Sequence, residues 1–179
     1  MHNAFTVRYQ GRVNVLKTKV GIFLPVTEDE AKTQEIEIKE YVAIWDTGAT
    51  NSVITKKVAS DLNLKPIAIT EMRHAGGKST ANVYLVNIVL PNSVIVQGVR
   101  VSESDLTDSE IIPEDQQLQI LIGMDIISMG DFAVTNPEGK TVMSFCVPSV
   151  GEINFIQNAE INNVKNHGNR AQRRSLKRS

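Results

Sequence analysis

The stretch that decides the fold is Tyr41-Val42-Ala43-Ile44-Trp45-Asp46-Thr47-Gly48-Ala49. It opens with apolar, β-branched and aromatic residues, which is the composition of a buried strand. Gly48 permits a sharp turn after that strand, and Ser52-Val53-Ile54 then returns as a second short strand. Because this geometry holds the carboxylate of Asp46 at the floor of a cleft, the stretch predicts a functional acidic group. The alternative interpretation is an Asp-initiated β-turn with no catalytic role.

Outside this stretch, short β-branched runs alternate with turn residues, which indicates an all-β fold with one or two short helices. Thr55 is placed to cap the first helix, with Val58 and Leu62 on its inner face, and Asp125 is placed to cap the second. Residues 72–80 are small and polar around a Gly-Gly pair and predict a mobile turn. The predicted strands are Phe5–Tyr9, Val13–Leu24, Ile36–Trp45, Ser52–Ile54, Val83–Leu90, Val94–Val101, Ile120–Gly123, Phe132–Val134 and Val142–Phe145.

The composition limits the possible classes of protein. The chain has 179 residues, of which 41% are hydrophobic, and a formal net charge of -1, so it fits one domain with a proper core and is not built as a whole to bind nucleic acid. Its one cysteine, Cys146, excludes an intramolecular disulfide and is predicted to be a small core residue. The three histidines lack metal-site spacing, so we expect no metal and no cofactor. Because no secretory signal and no membrane-length apolar run is visible, we expect a cytoplasmic protein without a membrane partner.

A second motif, Leu121-Ile122-Gly123-Met124-Asp125, follows Asp46 by about seventy residues, with a Gly-containing hairpin between the two. With the two motifs in this order, the sequence resembles the retropepsin-like aspartic proteases. The resemblance covers about residues 13–147. The resemblance implies an all-β acid protease barrel with one catalytic motif per subunit. On this basis we expect a protease domain over residues 1–148. Residues 149–179 form a C-terminal extension, which we expect to be a disordered basic tail from about residue 166.

The resemblance also implies roles for particular residues. Asp46 would be the catalytic carboxylate, and the element formed by Leu121, Ile122 and Gly123 would pack beside its loop. Thr47 would tie the loops of two subunits together, Gly48 would expose backbone groups to the substrate, and Ala49 would complete the supporting loop. A Gly-Gly pair looks the same in any hairpin, so the flap is assigned from its place in the order of the motifs. Its tip, which would close over bound peptide, would consist of His74, Ala75, Gly76 and Gly77.

The chain contains one Asp-Thr-Gly motif and no Asp-Ser-Gly motif, so only a homodimer supplies the second carboxylate that this chemistry needs. Two carboxylates a few ångströms apart share a proton and titrate as a unit. The ionised one takes a proton from the attacking water, while the protonated one donates to the peptide carbonyl oxygen. The implied function is an aspartic endopeptidase that cleaves extended peptide segments, its own precursor among them.

Two positions depart from the retroviral pattern. Retroviral members place an Asp directly after Asp-Thr-Gly-Ala and an Arg directly after the later Gly, whereas Thr50 and Met124 stand there. Both partners of an ion pair are absent together, so no orphan charge remains. With the helix predicted near residues 55–62, these departures place the chain nearer to the cellular and bacterial-type members. The missing Asp leaves open how the peptide backbone is held.

Two functions from other classes stay open. The first is a catalytically silent retropepsin-like domain that serves as a dimerisation or peptide-binding module. The altered Thr50 and Met124 favour it, and the intact Asp46-Thr47-Gly48 opposes it. The second is a nucleic-acid accessory protein. Since a short basic end without a binding fold is typical of a solubilising tail, we expect no nucleic-acid partner. The basic residues concerned are Arg170, Arg173, Arg174, Lys177 and Arg178.

Overall fold

The computed structural model describes residues 3–26, 35–74, 77–106, 113, 116–157 and 159, and gives the backbone alone for 72–74 and 77–79. Strands dominate these residues, so the predicted all-β class with short helices is confirmed. The helical elements are α1 (Lys56–Asp61), α2 (Met124–Ile127) and a 3-10 turn at Pro137–Gly139. The strands are β1 (Asn3–Arg8), β2 (Lys17–Phe23), β3 (Lys39–Trp45), β4 (Val53–Ile54), β5 (Ala68–His74), β6 (Gly77–Val89), β7 (Ile95–Glu103), β8 (Leu118–Ile122), β9 (Asp131–Thr135) and β10 (Val142–Val147).

Six strands close into a barrel in the order β2-β3-β8-β4-β7-β6, because β6 also pairs with β2. Closure brings the backbone of Gly21 close to Val89, and a Cβ at Gly21 would lie 2.5 Å from the side chain of Ile38. β5 lies outside the ring and pairs with β6. The barrel interior is filled by aliphatic side chains with no solvent exposure, among them Ile22, Ile54, Val86, Ile88, Val101, Ile120 and Ile122.

A three-stranded antiparallel sheet, in the order β1-β10-β9, packs beside the barrel. Phe145 on β10 lies opposite Phe5 on β1 and opposite Phe132 on β9, so these three rings lie on one face of the sheet. All three contact Trp45: its ring centroid lies 5.7 Å from Phe5, 5.2 Å from Phe145 and 5.7 Å from Phe132. Trp45 is 4% exposed, in agreement with the buried strand that its stretch of sequence predicts. This cluster fixes the end of β3 directly before Asp46.

Helix α1 begins where the sequence predicts, and Val58 and Leu62 are buried on its inner face. The capping interaction differs from the prediction. Thr55 occupies the N-cap position without a side-chain capping bond. Its buried hydroxyl instead donates to the side-chain oxygen of Gln119 on β8. The residue therefore joins α1 to the barrel wall, a role that depends on a partner far away in the sequence.

Two other predictions are wrong in detail. Residues 72–74 and 77–80, predicted as a mobile turn, continue the ladder of β5 and β6 as far as the pairing of His74 with Gly77. The prediction failed because small polar residues in an edge hairpin are held by backbone hydrogen bonds, which leave no apolar pattern. Cys146, predicted in the core, is half-buried. It alternates with the buried Phe145 and therefore lies on the opposite face of the sheet.

Candidate active site

Asp46 follows the last residue of β3, and the second motif follows the neighbouring strand. β3 and β8 are parallel, and Trp45 lies beside Ile122 in their register. The backbone N–H of Asp46 donates to the carbonyl of Ile122 at 3.0 Å. Because parallel strands end at the same edge of a sheet, the Asp46 turn and Gly123 emerge side by side. The structure thus brings the two motifs of the sequence together.

The turn itself orients the Asp46 carboxylate. The Gly48 N–H donates to Oδ1 of Asp46 at 2.8 Å, and the Ala49 N–H donates to the Asp46 carbonyl at 3.2 Å. A Cβ at Gly48 would lie 3.1 Å from that same Oδ1, so glycine lets the backbone approach the carboxylate. Asp46 is half-buried, whereas Thr47 and Gly48 are exposed. The carboxylate is therefore held in one orientation at the surface of this chain.

Gly123 lets the two motifs pack backbone against backbone. A Cβ on Gly123 would lie 2.6 Å from the carbonyl carbon of Asn51 and 3.1 Å from the carbonyl oxygen of Ala49. Real Cβ atoms do not approach backbone atoms so closely, and no side chain there can rotate to relieve the contact. The third residue of the Leu121-Ile122-Gly123 element therefore has to be glycine for the Asp46 loop to keep this position.

Thr50 and Met124, the positions that depart from the retroviral pattern, meet across this contact. The Met124 N–H donates to the Ala49 carbonyl at 2.8 Å, and the Asp125 N–H donates to the Thr50 carbonyl at 3.1 Å. Thr50 is exposed, and the side chain of Met124 is partly exposed. Backbone hydrogen bonds, which need no charged side chain, thus join the two loops here.

Asp125 has a different role from the helix cap that the sequence predicts. Gly123 is the N-cap residue of α2. The Asp125 carboxylate instead accepts hydrogen bonds from the Ser52 N–H at 2.9 Å, the Ser52 hydroxyl at 2.8 Å and the Ile126 N–H at 3.0 Å. Ser52 is 0% exposed, and its Oγ also accepts the Gly123 N–H at 3.0 Å. We call this arrangement of Asp125, Ser52 and Gly123 the loop clamp, because it fixes the chain where it leaves the Asp46 loop.

Sequence reasoning assigned no functional role to Ser52 or Asp125. One signal was available: Ser52 stands between a turn and the apolar Val53-Ile54, where a polar side chain is buried and needs a partner. The partner lies 73 positions further along the chain, so no local pattern identifies it. The pairing becomes visible only once β4 lies beside β8.

The predicted flap lies partly outside the described residues. Ala75 and Gly76 are not among them, and for His74 and Gly77 the backbone alone is given, paired across the hairpin. The base of this hairpin is fixed to β7: the Tyr84 hydroxyl donates to Glu103 at 2.6 Å, and Asn82 donates to the Tyr84 oxygen at 3.3 Å. Burial, together with the bond to Glu103, raises the pKa of Tyr84. The hairpin therefore projects from an anchored base.

A surface pocket of about 600 Å³ lies at the start of β3, at the opposite end of this strand from Asp46. Lys57 and Asp61, which line it, form an ion pair at 3.0 Å. The Tyr41 hydroxyl donates to Asp61 at 3.2 Å. Burial, and then the neighbouring Asp61 carboxylate, raise the pKa of Tyr41 to about 12. These groups satisfy one another and stabilise the junction of α1 with the barrel.

Among the residues that the structure describes, no helix is long and apolar enough to cross a bilayer. In that part of the chain, no group of three or more His, Cys, Asp or Glu side chains is placed to hold a metal ion.

A β-barrel that holds an Asp-Thr-Gly turn against a Leu-Ile-Gly element is the architecture of a retropepsin-like aspartic protease, and this prediction is confirmed. Residues 33–126 match the family model described as aspartyl protease. This match spans both motifs and more than half of the 179 residues. The chain therefore belongs to the aspartyl protease family.

Two solved structures match the chain. The crystal structure of a retropepsin-like aspartic protease from Rickettsia conorii is 13% identical, with a TM-score of 0.43 over 82% of this chain and 96% of that one. The solution structure of the Simian Foamy Virus (mac) protease is 16% identical, with a TM-score of 0.37 over 62% of this chain and 92% of that one. No curated protein sequence matches the chain.

Proposed function

We propose that the protein is an aspartic endopeptidase whose active site is completed by a second copy of the same chain. The observation that carries this proposal is a single oriented carboxylate. Asp46 stands at the surface at the end of β3, with Gly48 N–H donating to its Oδ1 at 2.8 Å. The sequence offers no other Asp-Thr-Gly or Asp-Ser-Gly. Membership of the aspartyl protease family supports the reaction class.

In this proposal two Asp46 carboxylates face each other across a two-fold axis and share one proton. The ionised partner takes a proton from a bound water as the water attacks the peptide carbonyl carbon, and the protonated partner donates to the carbonyl oxygen. The Gly48 N–H holds one carboxylate oxygen in place, so little reorganisation is needed as charge moves. Thr47, exposed beside Asp46, is available to bond the partner loop.

The substrates we propose are extended peptide segments, the precursor of the protein itself among them. Residues 74–77 would form the flap tip over the bound peptide, and Gly48 would offer its backbone to the peptide chain. We further propose that residues 1–148 are the catalytic domain, that residues 149–179 are an extension to it, and that the protein acts in the cytoplasm.

The decisive experiment substitutes Asp46 and mixes subunits. Asp46→Asn is nearly isosteric, so we expect the dimer to persist and peptide cleavage to vanish. Excess mutant equilibrated with wild type creates mixed dimers that hold one carboxylate each. Activity should then fall as the square of the wild-type fraction, measured by cleavage of a peptide library with pepstatin as the inhibitor control. Activity that falls only in proportion to this fraction means that each subunit works alone, and a dimeric but inactive wild type would favour the silent binding module.

A further inference from the structure

Gln119 on β8 is a buried polar residue with only one of its two side-chain polar atoms bonded. It is 6% exposed. Its side-chain oxygen accepts a hydrogen bond from the Thr55 hydroxyl. Among the residues that the structure describes, no hydrogen-bond acceptor meets its amide nitrogen. Because the large majority of buried polar side-chain atoms have a partner, the free N–H groups of this amide call for an explanation.

A β-bulge gives Gln119 this position. The pairing of β3 with β8 shifts register between Leu118 and Ile120, so Gln119 is the extra residue on β8. All three residues are buried, whereas a regular strand alternates its side chains between two faces. Bulges re-aim side chains and are enriched next to functional sites. The bulge therefore buries a polar side chain in the barrel wall without interrupting the apolar residues on either side.

Gln119 lines the surface pocket at the start of β3, which we call the β3 pocket. Its volume of about 600 Å³ lies within the range of small-molecule sites, roughly 300–1,000 Å³. One water molecule takes up about 30 Å³, so the pocket has room for much more than a water bonded to the amide. Gln119 is thus a hydrogen-bond donor in the wall of a pocket that is large enough for an organic molecule.

The acceptor groups that line the β3 pocket are already bonded or solvated. Both carboxylate oxygens of Asp61 accept hydrogen bonds from Lys57, at 3.0 and 3.2 Å, and one of them also accepts the Tyr41 hydroxyl at 3.2 Å. Glu40, the other acidic side chain in the described lining, is 68% exposed and pairs with Lys19. A ligand that donates hydrogen bonds therefore finds little to bind.

Lys39, by contrast, keeps donor capacity at the β3 pocket. An ammonium group has three N–H donors. That of Lys39 donates to the backbone carbonyl of Asp61 at 2.8 Å. The nearby Glu37 carboxylate lies 3.6 Å away, beyond hydrogen-bond distance. The pocket thus combines the neutral N–H donors of Gln119 with a positive charge that has N–H donors to spare.

We infer that the β3 pocket binds a small molecule that carries a carboxylate group. An ionised carboxylate only accepts hydrogen bonds, which matches the free donors of Gln119 and Lys39. Hydrogen bonds with a charged partner are also stronger than neutral ones. The pocket lies at the opposite end of β3 from Asp46. The site is therefore separate from the candidate active site and does not depend on the proposed function.

Nuclear magnetic resonance of the full, isotope-labelled chain tests this inference. Benzoate is the probe, and benzamide, which has a similar shape and no charge, is its control. Benzoate should shift the side-chain amide signals of Gln119 until they saturate, and benzamide should bind at least about tenfold more weakly. Acetyl-trialanine with a free C-terminal carboxylate, compared with its C-terminal amide, shows whether the site accepts a peptide end as well as a free organic acid.

Variants then locate the site, with binding followed by the backbone amides of β3. Gln119→Glu replaces the donor nitrogen with an oxygen and should weaken benzoate binding at least about tenfold. Gln97→Glu makes the same change at an exposed position on β7 and should stay within about twofold of wild type. Lys39→Met should weaken binding about fivefold, whereas Lys140→Met, at another exposed position, should not.

Three outcomes would each overturn the inference. The first is no saturable shift with either carboxylate at roughly 10 mM. The second is equal affinity for benzoate and benzamide. The third is an unchanged benzoate affinity in a folded Gln119→Glu variant or in Lys39→Met, which would mean that water alone satisfies the amide. The proposed function fails separately, because a proteolytically inactive chain that binds benzoate in this way keeps the inference.

Discussion

Removal of the Asp125 carboxylate tests the loop clamp. Asp125→Ala deletes the acceptor of three hydrogen bonds, two of them from Ser52. Ser52 is 0% exposed, so both of its donors are buried in the intact chain. A buried donor without a partner costs about 1–3 kcal/mol. Two such donors on Ser52 therefore predict a loss of roughly 2–6 kcal/mol in the free energy of unfolding.

The assay is urea denaturation followed by circular dichroism, with all variants at one protein concentration because dimerisation would shift the transition. Glu40→Ala is the control. Its carboxylate forms an exposed ion pair with Lys19 at 3.8 Å, so its removal should cost less than about 1 kcal/mol. A double-mutant cycle with Ser52→Ala isolates the bond between Oγ and the carboxylate, for which we expect a coupling of about 1–2 kcal/mol. Additive effects, or a cost for Asp125→Ala no larger than for Glu40→Ala, would refute the clamp.

Two further variants probe other parts of the molecule. Gly123→Ala places a Cβ 2.6 Å from the backbone of Asn51, so the catalytic loop must shift and kcat/KM should fall at least about 100-fold. Gly11→Ala is the control, because a Cβ there meets open space, and it should leave kcat/KM unchanged. Equal kcat/KM values for the two variants would contradict the close packing of Gly123. The pKa of Tyr41 rises from 10.0 to about 12 in the folded chain, so its contribution to stability is complete below pH 10 and is lost as the pH rises towards 12. In the Tyr41→Phe variant, the free energy of unfolding should decrease less between pH 10 and pH 12 than in the wild type. An equal decrease in both proteins would show that another group causes it.

The sequence predicts strands best where a short apolar run is bounded by turn residues. β4, β8 and the hairpin of β9 with β10 follow such runs, because each of these strands packs apolar side chains into the core. β2 begins at Lys17 although the apolar run begins at Val13. Burial pattern alone does not reveal where backbone pairing starts.

The candidate site also contains residues that the sequence predicts and residues that it does not. Asp46 and its glycine turn are contiguous in the sequence, so a short motif reveals them. The Leu121-Ile122-Gly123 element is recognisable because it follows that motif in the order typical of the family. The Asp125–Ser52 pairing was missed because an acidic residue at a helix start satisfies a local rule. Its distant partner, Ser52, lies directly before β4. The barrel topology therefore decides between a local role as a helix cap and a role as the acceptor for Ser52.

Trp45 is the only tryptophan among the 179 residues. Its indole N–H donates to Thr18 at 2.9 Å, and its ring stacks on Phe132 with 9° between the planes. The tryptophan fluorescence of the chain therefore comes from one shielded indole, a single peptide bond before the proposed catalytic carboxylate. Changes in the wavelength and intensity of that emission should therefore report on the Asp46 loop, and they offer a label-free way to test for inhibitor binding and for the proposed pairing of subunits.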